Sequence, residues 1–310
     1  MPPADWDFYT ALPNNSNRGQ LLTQARNRSV TFDLKDPHNI QFTINGKHPE
    51  ATIINELATD IIAVRNGTTM FRGRVTTSND NVTQNTHSVS YGAVAYKGLL
   101  MRREINTAYS TIDDIADREY GFDWDIDSSL AFKMYYPIRG NYVPFVAQYP
   151  GNVSTFTRSI DTTYYANSVR AIGTNSGVTV TSITSASDIG TRAEGRWDYV
   201  EGGGDADSTA EVLSLARGIL ADRAALIPSY ELRMKAGSFD PSECWIGDTI
   251  RVVIKIGRLN VNTVYRIQRI NFDIGDSGEE DITVSVGAPV MSISNRLWFY
   301  GRRITELERR

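Results

Sequence analysis

The sequence predicts a mainly β protein with a few helices, an α+β chain in which two related β units are separated by an inserted segment. Three observations predict this. First, short runs alternate apolar and polar residues: "SVTFDL" (29–34), "NIQFTI" (39–44), "DTIRVVIKI" (248–256) and "DITVSVGA" (281–288). Alternation buries one face of a strand and wets the other. Second, "DIIAVRNGTTMFRGRV" (60–75) reads as a hairpin centred on Asn66-Gly67. Both central residues tolerate the positive φ of a tight hairpin turn. Third, "FRGRVTTSNDNVTQNTHSVSYGA" (71–93) matches "YRIQRINFDIGDSGEEDITVSVGA" (265–288) in order. Each is an aromatic-Arg strand, a polar acidic loop, an alternating strand and Gly-Ala. The match pairs Phe71 with Tyr265 and Gly92 with Gly287, with one residue of slip. Sequential antiparallel strands repeated in this way suggest barrels or sandwiches.

Residues 1–27, rich in Pro, Asn and Arg, read as an N-terminal arm. The first β unit spans 28–104. Asp36-Pro37 turns the chain between its first two strands. "PEATIINELA" (49–58) suggests a short helix with Ile53, Ile54 and Leu57 on one side. The hairpin follows, then "SNDNVTQNT" (78–86) as a loop and "HSVSYGAVAY" (87–96) as a closing strand. Residues 105–152 form the inserted helical and irregular segment. There "STIDDIADREYG" suggests a helix capped by Ser110 and ended by Gly121. In "FDWDID", strand geometry puts Asp123, Asp125 and Asp127 on one face and Trp124 and Ile126 on the other. "MYYPIRGNYVPFVAQYPGN" (134–152) holds three prolines and reads as irregular structure or edge strands.

The second β unit spans 153–292. "NVSTFTRSI" and "SVRAIGTNSGVTVTSIT" read as strands, and 208–227 as the best helix. Ser208 and Glu211 make a capping box there. Val212, Leu215, Ala216 and Ile219 recur at helical spacing, and Pro228 follows. "SYELRMKA" and the last three strands complete the unit. Residues 293–310 are expected to be an interface tail. Trp298, Phe299 and Tyr300 are consecutive, so a single face cannot bury all three, and aromatics with Arg are enriched at interface centres.

The 310 residues predict about two domains. Net charge is −4, and binding to a phosphate backbone usually shows as a basic surplus. The single cysteine, Cys244, excludes an intrachain disulfide and is expected to be a buried apolar residue. The N-terminus lacks an apolar signal core, and no apolar run approaches the ~18 residues of a membrane helix. Synthesis in a cytoplasm with no membrane anchor is therefore expected. The Asn-X-Ser/Thr sites at Asn14, Asn27, Asn66, Asn81 and Asn152 then read as ordinary loop residues.

No catalytic, cofactor or metal site is expected. The histidines are His38, His48 and His87 only, without zinc-ligand spacing. A calcium loop from Asp123 would need Gly and Glu where Ser128 and Met134 stand, so the aspartates read as a solvated strand face. Asp276, Glu279, Glu280 and Asp281 crowd one hairpin loop and read as solvated turn residues rather than a glycosidase pair. Tyr135, Tyr136, Tyr142, Phe145 and Tyr149 read as packing or a protein interface.

The stretch "ELATDIIAVRNGTTMFRGRVTTSNDNVTQNTHSVSYGAVAYKGLLMRREI" (56–105) resembles the tail hub, or minor tail, proteins of siphophages, themselves similar to the baseplate hubs of contractile tails. "YPGNVSTFTRSID", "YYANSVRAIG", "RWDYVEGGG" and "ECWIGDTIRVVI" fit the same pattern. The resemblance covers roughly 28–292 and carries no catalytic signature. It implies two tail-tube-like β-barrels in a homotrimeric ring at the tail tip of a virion, assembled in the bacterial host. Implied partners are a distal tail protein or tail tube, the tape measure protein, and other minor tail or receptor-binding proteins. Viral double-stranded DNA would pass through without specific binding. The acidic stretches 79–80, 123–127 and 276–281 permit a channel lining that is not net positive. Other readings are a hexameric distal tail or other tail-ring protein, the spike hub of an injection system, and a tail-associated cell-wall hydrolase. The chain stopping at Arg310 argues against the last.

Overall fold

The structure is a computed structural model that describes residues 4–13, 17–100, 112–113, 115–116, 122–160, 162, 165–175, 178–185, 189–191, 194–202, 208–224 and 228–287. Trp298, Phe299 and Tyr300, and the caps Ser110 and Gly121, lie outside these residues. The chain divides into two compact units. Unit 1 is Met1–Ile112, Phe122–Thr157 and Tyr230–Val286. Unit 2 is Asp113–Gly121, Arg158–Ser229 and Gly287–Arg310.

Strands dominate, with few helices, as the alternating pattern predicts. Unit 1 is built on a 12-stranded sheet. Its first six strands are β1 (Trp6–Ala11), β2 (Arg26–Asp33), β3 (Asn39–Asn45), β4 (Asp60–Arg65), β5 (Thr68–Val82) and β6 (His87–Ala95). The short hairpin β7 (Asp123–Ile126) and β8 (Phe132–Tyr135) stands apart as a two-stranded sheet. β9 (Tyr142–Tyr149) and β10 (Val153–Ser159) return the chain to the large sheet. After unit 2 it is completed by β14 (Ser229–Met234), β15 (Thr249–Ile256), β16 (Leu259–Ile274) and β17 (Glu280–Gly287).

The neighbour order is β1-β4-β5-β6-β3-β2-β16-β17-β14-β10, with β9 beside β15 and β15 beside β16. Strand for strand, the second half repeats the first. β1-β4-β5-β6-β3-β2 corresponds to β9-β15-β16-β17-β14-β10. One difference is direction: β1 runs antiparallel to β4, whereas β9 runs parallel to β15. Both long strands also carry a one-residue irregularity in the same place. It falls between Val75 and Thr77 against β6, and between Ile267 and Arg269 against β17. Aligning these puts Phe71 with Thr263 and Gly92 with Ser285, two residues from the pairing read in the sequence. A shift of two keeps every side chain on its face, so the residue pattern could not reveal it. Among the described residues no sheet closes on itself.

One core serves both halves. β2 and β16 meet antiparallel, with Val30 opposite Phe272 and Phe32 opposite Ile270, all fully buried. The Phe32 and Phe272 rings meet edge-on at 6.0 Å, and Phe8 packs edge-on to Phe42 at 5.8 Å. The opening hairpin turns at Asn66 (φ 48°) and Gly67 (φ 82°), as its residues require.

Three expectations change. β1 lies within the presumed arm, where it pairs with β4 and buries Trp6 and Phe8. β5 continues through Val82, opposite His87, so only 83–86 of the expected loop connects strands. Backbone ladders support that polar stretch, although its exposed side chains give no alternation. The helix in 49–58 is one turn, Pro49–Thr52, started by Pro49 and by His48 accepting from the Glu50 N–H. Leu57 (φ 62°) takes the left-handed conformation, which ends any helix.

Unit 2 holds β11 (Ser168–Asn175), β12 (Val178–Ser185) and β13 (Asp198–Gly202). β11 pairs antiparallel with β12 and parallel with β13. The helix Thr209–Arg223 starts at Ser208, whose side chain accepts from the Glu211 N–H. Its Val212 and Ala216 are buried against Val169 and Ala171, with Leu215 and Ile219 alongside. Asn167 is fully buried where β11 begins. Its oxygen accepts from the Trp197 N–H (2.8 Å) and its nitrogen donates to the Gly195 carbonyl (2.7 Å). These bonds fasten the approach to β13 beside β11. Asn167→Ala leaves both backbone groups unpaired and is expected to destabilise unit 2 by about 2 kcal/mol. Hydrogen exchange should show faster opening at 195–202 while the β2–β3 amides keep their protection.

Candidate functional site

In unit 1, buried ion pairs hold the surface elements in fixed positions. β7 brings two aspartates inward. Asp125 Oδ2 lies 3.0 Å from His38 Nε2 and 3.0 Å from Arg139 Nη1. His38 Nδ1 accepts from the Asp33 N–H (3.1 Å), which places the ring proton on Nε2, facing the carboxylate. Asp123 Oδ2 accepts from the Arg139 N–H (2.7 Å) and pairs with the Arg266 guanidinium of β16. Arg269, three residues further along β16, binds Asp33 at 2.6 Å. Buried Lys97 donates to the carbonyls of Lys35 (2.9 Å) and Trp124 (3.3 Å), and its ammonium lies 4.6 Å from the centre of the Trp124 ring. The β7–β8 hairpin is thus fixed to the β2–β3 turn and to β16 together.

Two further clusters do similar work. Asp60 is fully buried and accepts from Arg72 (3.0 Å), Arg74 (2.5 Å) and the Tyr96 hydroxyl (2.6 Å). Glu280 of β17 takes a two-point contact from Arg65 of β4 (2.6 and 2.8 Å), and Trp6 Nε1–H donates to the same carboxylate. A planar guanidinium matches a carboxylate in this way and fixes orientation as well as charge.

These contacts correct two readings. Asp123 and Asp125 are not a solvated strand face; they are buried and ion-paired. Asp127 lies just beyond β7 and takes a turn role instead, accepting from the Ser129 and Ala131 N–H groups. In 276–281, Asp276 and Glu279 are exposed, whereas Glu280 and Asp281 pair with Arg65 and Arg233. The arginine partners come from distant strands, so spacing alone could not show the pairing.

Cys244 is buried, as expected, and burial together with Asp248 and Glu243 pushes its thiol up to about 12. That suppresses the thiolate a nucleophile needs. Among the described residues no group of three or more His, Cys, Asp or Glu side chains is placed to hold a metal. No described helix is long and apolar enough to cross a membrane. The aromatic run divides. Phe145 and Tyr149 pack on Phe239 and Phe156, and Tyr135 lies under Arg139. Tyr136 and Tyr142 are exposed, near Phe132, Met134 and Ile138 in sequence, which are exposed too.

The fold is that of phage tail proteins. The chain superposes on the tail protein from Neisseria meningitidis MC58 with TM-score 0.60 and 9% identity, covering 91% of this chain and 96% of that one. For the 43 kDa tail protein of prophage MuSo2 from Shewanella oneidensis the TM-score is 0.62, with 12% identity and 91% and 98% of the chains covered. For prophage tail protein gp18 from Listeria monocytogenes EGD-e it is 0.57, with 12% identity and 96% and 99% covered. No family model matches the sequence. No curated protein matches it.

The Asp125 site predicts an acid transition. Burial alone would raise this carboxyl, but the His38 hydrogen bond and the positive groups around it win and lower it from 3.8 to about 2. A depressed pKa contributes stability above the unfolded value and loses it as pH falls through the folded one. About 2 kcal/mol should therefore be present above pH ~4 and disappear by pH ~2. Asp125→Asn should flatten that part of a stability-versus-pH curve measured by urea unfolding.

Proposed function

We propose that this chain is a structural subunit of a phage tail hub, a homotrimeric ring at the tail tip that joins the tail tube to tip proteins and forms part of the DNA conduit. One observation carries this reading: two six-strand halves with the same pairing lie in one chain. Three chains then offer six similar units, which suits a junction between a sixfold tube and a threefold tip. Closed rings arise from heterologous interfaces whose rotation closes. On this reading the halves are tail-tube-like units, completed into barrels by neighbours. The distal tail protein or tail tube, the tape measure protein and other minor tail or receptor-binding proteins are its partners. The shared tail-protein fold supports the assignment to the virion.

DNA must pass without being held. Each phosphate neutralised by Lys or Arg adds salt-sensitive affinity, so a lining that is not net positive favours passage. The net charge of −4 supports that reading. The supply of free carboxylates is smaller than the sequence suggests, because Asp123, Asp125, Glu280 and Asp281 are matched by arginines.

Native mass spectrometry of the purified full chain should show three copies. Six copies would favour a distal tail or other tail-ring protein. The protein should release no fragments from host peptidoglycan; release that disappears in an Asp276→Ala, Glu279→Ala variant would support the hydrolase reading instead. We also assign Trp298, Phe299 and Tyr300 to an interface. Deleting 296–310 should leave the melting temperature within ~2 °C and weaken assembly; early melting with intact assembly would return these aromatics to the chain's own core.

A further inference from the structure

The two halves differ in what lies beside their longest strands. β16 is flanked on one edge by β15, which ends its pairing at Arg266, and then by β2 from Arg269 to Ile274. β17 holds the opposite edge. β5 is the equivalent strand. β4 ends its pairing at Arg74, and Val75 bonds Thr59 and Leu57 through its N–H and carbonyl. Beyond Val75, among the described residues, no strand follows on that edge, although β6 pairs the other edge out to Val82. Residues 77–82 are exposed. The strand missing there is the counterpart of β2, and the counterpart of β2 is β10. β10 pairs with β14 alone among the described strands, so its outer edge is open as well.

We propose that β10 of one copy pairs antiparallel with the outer half of β5 of the next copy. The β2–β16 junction inside each chain would then recur between chains. This rests on the ring reading and supplies the contact that closes it. The occupant is a second copy because each chain carries both edges of the missing junction, the outer half of β5 and β10, on different strands of one sheet; β9, whose outer edge also has no strand beside it among the described residues, is the counterpart of β1 and has no part in that junction. Joining unlike edges passes the sheet from chain to chain, as a heterologous ring requires.

Two observations support the match. At the internal junction, the Asn271 side-chain oxygen accepts from the hydroxyls of Thr31 (2.8 Å) and Ser29 (3.1 Å). Aligned on the shared strand irregularity, Asn79 of β5 occupies the position of Asn271. The chain also covers its edge at β1. There the Thr10 and Leu22 N–H groups donate to the Gln20 and Phe8 carbonyls (2.9 and 2.7 Å). Open edges invite pairing, and proteins usually cover or blunt them. The internal junction is apolar at Val30, Phe32, Ile270 and Phe272, whereas β5 offers Ser78 and Asp80. The contact between chains is thus more polar, which suits subunits that fold before they meet.

Disulfide trapping of the full-length protein tests this. Asn79→Cys, Asp80→Cys or Asn81→Cys is combined with Thr155→Cys, Phe156→Cys or Thr157→Cys, one from each strand. All six positions are at the surface or partly so, and melting curves check folding. Buried Cys244 stays out of the exchange. At least one pair should convert the ring, on mild oxidation, into cross-linked dimers and trimers that reductant separates. Neither single-cysteine parent should do so. A trimer that none of the nine pairs cross-links overturns the strand contact and leaves the ring reading standing. Cross-linking in a six-copy ring supports the contact and overturns the count of three. A protein that stays monomeric at every concentration tested overturns both.

Discussion

The pairing of β2 with β16 is the constraint on which the rest of unit 1 depends. Six residue pairs, from Arg269 with Asp33 to Ile274 with Arg28, join strands more than 230 positions apart. They merge two similar six-strand halves into one sheet over one core. Without this ladder, Val30, Phe32, Ile270 and Phe272 would each lose a buried neighbour. Burying a large apolar side chain contributes ~1.5–3 kcal/mol, so the loss would be a large share of a typical net stability. Arg269 with Asp33 and Arg266 with Asp123 then fix the register of what is joined.

Ion pairs inside this unit fix one arrangement of the strands they join. Taking a charge out of water is costly, and the pair attraction mainly offsets that cost. Breaking one side is a different matter, because an unpaired carboxylate such as Asp60 or Asp125 would be left buried. Of the apolar side chains in the two strands of the β7–β8 hairpin only Trp124 is buried, so the hairpin is held through Asp123, Asp125 and Trp124. Its exposed Phe132 and Met134 are thereby presented in a fixed place.

Much of this was legible in the sequence, for physical reasons. Strands with one wet face show alternation, so β2, β3, β6, β15 and β17 were visible. Asn66-Gly67 announced its turn because few other pairs accept two positive φ values. Ser208 and the Val212–Ala216 stripe gave away the helix. What stayed hidden is set by partners distant in sequence. The outer half of β5 is polar on both faces and held by backbone bonds. β1 sits among prolines and asparagines. Asp123 and Asp125 look like surface acids until Arg139, Arg266 and His38 arrive from elsewhere in the chain. The repeat was visible as a pattern; its register came from backbone irregularities that leave no mark on residue type.

The central claim is that two halves of one chain act as equivalent units. Electron cryo-microscopy of the proposed ring tests it most directly. The account predicts threefold symmetry in which a 60° rotation superposes the β1–β6 half of each chain on a β9, β10 and β14–β17 half. Halves lying at different radii, or a ring of six copies in which only one half meets the tube, would contradict it.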